Sequence, residues 1–233
     1  MLQFTLPTNT NKVSTPKAMF LGKPLVFETQ YNFDQKALIP KCETLAKSVP
    51  RFKNFHYDLE VGDAGSTALA KDKGPHTWPE LADFCEVARK QVSMIVGGWG
   101  VRHKGIVITN SWVNKHGAGG WTNYHTHPGA DLVMAAYIKA DSLSGDLIIM
   151  DPLEYAWNAY PAEDDGMGNR ATKFAARTNT VYYFAPFLRH ATEASKSKED
   201  RWVLSMNFKA IMDHHNLSIL LKEENINVSS NGH

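Results

Sequence analysis

Hydrophobic and polar positions change rhythm near residue 100. Before it the clear period is helical: Leu81, Cys85, Ala88, Val92 and Ile95 recur at three- and four-residue spacings and predict a helix over 78–96. Thr77-Trp78-Pro79-Glu80 offers a capping residue with a glutamate three positions on, and proline is tolerated in a first turn. A second helix is predicted from Asp34 to Val49, turning Leu38, Cys42, Leu45 and Val49 inward, with Pro40 blurring its start. Gly97-Gly98-Trp99-Gly100 then breaks the pattern and marks a junction.

Beyond the junction the rhythm becomes that of short strands separated by turn signals, at 105–114, 121–127, 131–139, 145–150, 179–185 and 201–209. Short strands at close spacing, with no helical crossovers between them, argue for an antiparallel barrel or double-sheet roll. The last strand is the most explicit. Arg201, Val203, Ser205 and Asn207 share one face, and Trp202, Leu204, Met206 and Phe208 share the other. The continuous hydrophobic face should pack on helices of the N-terminal third, leaving the mixed face to line the roll. Asp151 to Thr178 is predicted to be one long connection serving as a lid or binding loop. Residues 211–233 are expected to begin with a short helix through Leu221 and then fray. The expectation is a single domain over 1–233: a helical support region at 1–100, a β core at 101–210 and a tail at 211–233.

Composition narrows this picture by exclusion. A chain of 233 residues is long enough for a real core. A formal charge of +1 supplies no basic face, so duplex nucleic acid is not an expected partner. Cys42 and Cys85 are too few for a disulfide framework and suit a reducing cytoplasm. Met1 to Lys12 is polar, without the apolar stretch of a secretory signal, and no apolar run is long enough to span a membrane. The expected location is therefore the cytoplasm, or the host cytoplasm for a phage-encoded chain.

The chemistry lies in the β core. His125 and His127 stand at i and i+2, which on an extended strand puts both imidazoles on one face, within reach of one metal ion. His190, from a distant strand, would close one facet of the coordination sphere and leave the others open. Arg201, eleven residues on, supplies a permanently charged fork for a carboxylate. An inward arginine in a β roll is costly unless paired, and a bound dicarboxylate would resolve that cost. The other histidines, His56, His76, His103, His116, His214, His215 and His233, are read as solvated. Asn114 and Asn123 are read as turn residues bonding the backbone, and Trp112, Trp121 and Trp157 as packing.

From about Trp112 to Ala210 the chain resembles the iron(II)- and 2-oxoglutarate-dependent oxygenases, and most of all a poorly characterised bacterial and phage subgroup with a His-x-His-Pro motif. The stretches that carry the resemblance are Trp112-Val113-Asn114, Asn123 to Pro128, Ala136-Tyr137-Ile138 and Ser144-Gly145-Asp146-Leu147 with Asp151-Pro152. Phe184-Ala185-Pro186 leading to His190, and Arg201 through Asn207, complete the series. The resemblance implies a double-stranded β-helix, a jelly-roll or cupin-like core in a mainly β (α+β) protein with the N-terminal helices on one sheet. It further implies Fe(II) on His125, His127 and His190, and 2-oxoglutarate chelating that iron with its far carboxylate on Arg201. Ser205 and Tyr137 match positions where related enzymes place hydroxyls against that carboxylate. The implied reaction is hydroxylation of a C–H bond in a small-molecule or peptide substrate, with release of succinate and CO2.

One departure stands out. Most of the superfamily has a carboxylate where this chain has His127. A neutral third ligand raises the charge on the iron site by one unit. Asp131 and Asp151 are the nearest carboxylates that could coordinate instead. Two other functions fit the same residues. A three-histidine zinc site could activate water for hydrolysis or hydration, though Arg201 would then have no task. A cupin-like protein could bind a small acid without catalysis.

Overall fold

The computed structural model describes residues 22–49, 59–68, 70, 74–153 and 170–212. Helix α1 runs over Gln35–Ser48, capped by the Asp34 carboxylate, which accepts from the Ala37 N–H at 3.2 Å. Pro40 is accommodated inside it, so the helix does not start late. Helix α2 covers Ala82–Gly98, shorter at its start than expected. The residues before it form two 3-10 turns, Pro75–Thr77 and Pro79–Leu81, each opened by a proline. The expected capping box is not formed. The Thr77 hydroxyl donates back to the Gly74 carbonyl, and Leu81 at the cap position offers no side-chain bond.

Eleven strands are described: β1 (Val26–Gln30), β2 (Glu60–Val61), β3 (Ala64–Ser66), β4 (His103–His116), β5 (Trp121–Thr122), β6 (Leu132–Lys139), β7 (Leu147–Met150), β8 (Ala171–Phe174), β9 (Thr180–Phe184), β10 (His190–Thr192) and β11 (Arg201–Met212). They pair antiparallel in a six-stranded sheet, β1-β9-β6-β11-β4-β3, a three-stranded sheet, β10-β7-β8, and the pair β2-β5. A bridge between His125 and His190 ties the segment after β5 to the smaller sheet.

The two faces of the large sheet bury two different cores. Trp202, Leu204, Met206 and Phe208 join Leu132, Met134, Ala136 and Ile138 against Leu38, Cys42 and Leu45 of α1 and Phe84, Cys85, Ala88 and Val92 of α2. Val133, Ala135, Tyr137, Tyr182, Phe184 and Val203 face the other way and meet Leu147 and Ile149 of the smaller sheet. This is the alternation expected of β11, with the helices on one face and the interior of the double-stranded β-helix on the other.

Several expectations are corrected. The strand expected at 121–127 ends at Thr122, because its backbone bonds then change partner at every step: Asn123 N–H to Leu59, His125 N–H to His190, His127 N–H to Pro186. The long connection after Asp151 is interrupted by β8, which pairs with β7. Residues 154–169 of that proposed lid, Trp157 among them, lie outside the described residues. The helix expected from residue 211 does not begin there, since β11 continues to Met212, and its remainder lies outside the described residues. The N-terminal third also contributes strands, with β1 on the edge beside β9 and β3 beside β4. No helix among the described residues is long and apolar enough to cross a membrane.

Candidate metal centre and its surroundings

His125, His127 and His190 come together at the mouth of the interior, their ligand-capable atoms all within 4.8 Å of one another. Two of the rings are oriented by the backbone. His125 donates Nδ1–H to the carbonyl of Asn123 at 2.8 Å, and His190 donates Nδ1–H to the carbonyl of Leu188 at 2.9 Å. Each therefore presents an unprotonated Nε2. The Nε2 atoms of His127 and His190 stand 3.2 Å apart. Two ligands about 2.0–2.1 Å from one metal, at octahedral or tetrahedral angles, stand roughly 2.9–3.4 Å apart, so the pair fits a shared ion.

Packing fixes the rings further. Trp112 stacks on His127 with centroids 5.6 Å apart, and Phe184 presents an edge to His190 at 4.7 Å. Burial pushes the pKa of His127 down to about 3, with the nearby His125 adding to the effect. His190 lies well below its ordinary value for the same reasons, and burial lowers His125 too. All three are neutral donors near pH 7, the form a metal requires. Neither alternative carboxylate joins them. Asp131 accepts from the Ala210 N–H and Asp151 from the Leu153 N–H, and neither belongs to the cluster.

Below the histidines a narrow cavity of about 40 Å³ runs between Asn114, His116, Thr122, Tyr137, Leu147, Thr192 and Val203. Arg201 is fully buried beside two of the lining residues, His116 and Tyr137. Burial pushes the Tyr137 phenol up to about 12, against the pull of the Arg201 charge, so it remains a neutral donor. Ser205 forms no hydrogen bond with the guanidinium. The hydrogen bonds of the guanidinium go to His116 and Gly145, and the Ser205 hydroxyl lies 3.5 Å from Asn114 Nδ2. The Oδ1 atoms of Asn114 and Asn207 are buried without a hydrogen-bond partner, two acceptors left open inside the roll.

Sequence reasoning missed His116. Far from solvated, it is 1% exposed and takes two bonds from Arg201 on Nδ1, from Nε at 3.1 Å and Nη2 at 2.7 Å. Its inner-face parity with Trp112 and Asn114 on β4 was the available signal. His76 is also not free in solvent, bonding the Ser111 hydroxyl at 2.7 Å, and His103 bonds Ser93 at 2.8 Å. His56, His214, His215 and His233 lie outside the described residues. Asn123 does act as a backbone-bonding residue, whereas Asn114 faces the cavity.

Residues 110–207 match a protein family described as "Putative 2OG-Fe(II) oxygenase". That match spans less than half of the chain and makes the segment similar to the 2OG-Fe(II) oxygenases. The match contains all three histidines and Arg201, and the superfamily's cofactors are Fe(II) and 2-oxoglutarate. Solved structures share the fold of this chain at low identity. A prolyl-4-hydroxylase from Pseudomonas putida aligns with a TM-score of 0.52 at 11% identity, covering 79% of this chain and 92% of its own. The non-heme alpha-ketoglutarate-dependent epimerase SnoN of nogalamycin biosynthesis aligns at 0.53 and 11%, covering 79% and 76%. A prolyl hydroxylase from Trichoplax adhaerens, bound to a hypoxia-inducible-factor peptide, aligns at 0.51 and 14%, covering 79% and 83%. No curated protein matches the sequence.

Proposed function

We propose that the protein is an Fe(II)- and 2-oxoglutarate-dependent dioxygenase that hydroxylates a C–H bond, with release of succinate and CO2. The observation that carries the reading is the joint placement of three neutral, converging imidazoles and a buried arginine inside one β-helix. His125, His127 and His190 would hold the iron, and Arg201 with the Tyr137 phenol would receive the distal carboxylate of the cosubstrate. Bound iron and cosubstrate would supply the oxidising chemistry. The chain's own part is orientation and exclusion of water. Backbone carbonyls at Asn123 and Leu188 fix two imidazoles, and Trp112 and Phe184 wall the centre with apolar rings. The unpaired Oδ1 atoms of Asn114 and Asn207 would complete their hydrogen bonds with molecules entering the roll.

Anaerobic addition of Fe(II) and then 2-oxoglutarate tests the reading. A visible metal-chelate absorption should appear, and succinate should form once air is admitted. Zinc retained through purification, with no such band and no succinate, would overturn it in favour of a zinc hydrolase.

A further inference from the structure

A buried carboxylate outside the site, Glu60, is joined by hydrogen bonds to Thr122 and His116, and through them to Arg201. Glu60, from β2, lies outside the family match, and its side chain is 1% exposed. Its Oε2 accepts from the Thr122 hydroxyl at 3.0 Å and stands 3.2 Å from His116 Nε2. Thr122 Oγ1 is itself 2.8 Å from that nitrogen. On the far side of the ring, Nδ1 accepts from Nε and Nη2 of Arg201, while Nη1 donates to the Gly145 carbonyl. An arginine only donates, so Nδ1 must carry the lone pair and the ring proton must sit on Nε2. The carboxylate and the hydroxyl on that side enforce this tautomer. The result is a line from carboxylate through imidazole to guanidinium, wholly inside the protein.

This line settles how the guanidinium presents itself. Its Nε–Nη2 edge is taken by His116, and the Gly145 carbonyl draws Nη1. The two remaining N–H groups, one on each Nη, are left for another acceptor. Reversing the imidazole tautomer would set an N–H against two N–H donors and dislodge the arginine.

We propose that Glu60, Thr122 and His116 are positioning residues for the cosubstrate, holding Arg201 so that its terminal N–H groups meet the distal carboxylate of 2-oxoglutarate. This rests on the carboxylate role given to Arg201 above. It gives β2, a strand outside the matched segment, a part in cosubstrate affinity.

Glu60→Gln separates positioning from simple structural support. It keeps the side-chain volume and removes a buried ionisable group, so the fold should retain its melting temperature or gain at pH 8, where the wild-type carboxyl is mostly ionised. Cosubstrate affinity should nevertheless fall, because an amide no longer dictates the His116 tautomer. In the full-length Fe(II)-loaded protein, anaerobic titration with 2-oxoglutarate should show a dissociation constant raised on the order of tenfold, about 1.4 kcal/mol. The Michaelis constant for 2-oxoglutarate should rise in parallel, with the larger loss there than in kcat. His116→Phe should behave likewise, and Thr122→Ser, which keeps the hydroxyl, should restore tight binding relative to Thr122→Val. In the metal-free protein, nitrogen-15 correlation of the histidine rings should show His116 Nδ1 unprotonated, and this signature should be lost in Glu60→Gln. The relay is overturned if Glu60→Gln and His116→Phe bind 2-oxoglutarate like wild type while Arg201→Lys binds weakly. If Arg201→Lys also binds like wild type, the carboxylate role of Arg201 fails, and the relay with it.

Discussion

At the scale of single residues, protonation and donor geometry decide what the site can do. Arg201→Lys keeps the charge but loses the fork, so the Michaelis constant for 2-oxoglutarate should rise. Arg201→Ala should cost on the order of 2–5 kcal/mol of cosubstrate binding, with iron content unchanged in both variants. Equal anaerobic affinity in wild type and Arg201→Ala would sink that role. The buried histidines also predict how the metal-free protein responds to acid. His116, His125, His127 and His190 all have lowered pKa values in the fold, so the unfolded chain takes up protons first, near its ordinary value of about 6.5. Their contribution is present above that pH and is lost as pH falls below it, down to about 3 for His127. Glu60 acts in the opposite sense: burial raises it to about 7, so its contribution is lost as pH rises through that value. Four groups outweigh one, and the melting temperature of the metal-free protein should fall between pH 7 and 5. A melting temperature that stays level or rises over that range would contradict the burial of these rings. His125, His127, His190 and Arg201 were legible as a group because parity and order need no tertiary knowledge. His116 was not, because its partners come from three other strands, β2, β5 and β11, and only the sheet pairing brings Glu60, Thr122 and Arg201 around one ring.

At the scale of elements, long strands with strict alternation were readable and short ones were not. β6 and β11 carry eight and twelve residues, enough for period two to show, and β11 sorts its residues onto two cores as expected. β2, β5 and β10 have two or three residues each, too few for any period, and they exist because neighbouring strands supply their ladders. The start of α2 was misplaced because Pro75 and Pro79 favour 3-10 turns before a full helix is established. Leu204 is fully buried on the helix-facing side of β11, so Leu204→Ala should destabilise the fold by about 2–5 kcal/mol, read by denaturant titration. A loss much smaller than that would mean the helices do not press on the sheet as described. The turn before β7 is equally exacting. Gly145 has φ +80°, and a Cβ there would come 2.5 Å from the Glu193 carbonyl oxygen. Gly145→Ala should therefore lower the melting temperature and, by moving the carbonyl that holds Arg201 Nη1, weaken 2-oxoglutarate binding as well. Wild-type cosubstrate affinity in a destabilised Gly145→Ala would show that the carbonyl does not steer the arginine.

At the scale of the molecule, the matched segment and the folding unit are not the same thing. Residues 110–207 hold the three histidines and the arginine, yet half of the helix-facing core comes from before them. Leu38, Cys42 and Leu45 of α1, with Phe84, Cys85, Ala88 and Val92 of α2, cover the hydrophobic row of β6 and β11. β1 completes the edge beside β9, and β3 pairs the far end of β4, which places backbone bonds on both borders of the large sheet. A fragment limited to 101–212 would expose that hydrophobic face and both edges, the condition in which sheets associate with one another instead of folding alone. The expected behaviour is aggregation, or a soluble state with no cooperative thermal transition and no dispersed amide resonances. Co-expression with residues 1–100 as a separate chain should recover part of the folded material, since the missing cover is supplied by packing and by strand pairing rather than by covalent continuity. A fragment that melts cooperatively and binds Fe(II) and 2-oxoglutarate with full-length affinity would refute this. It would equally remove Glu60 from any part in cosubstrate binding, because that residue lies outside the fragment.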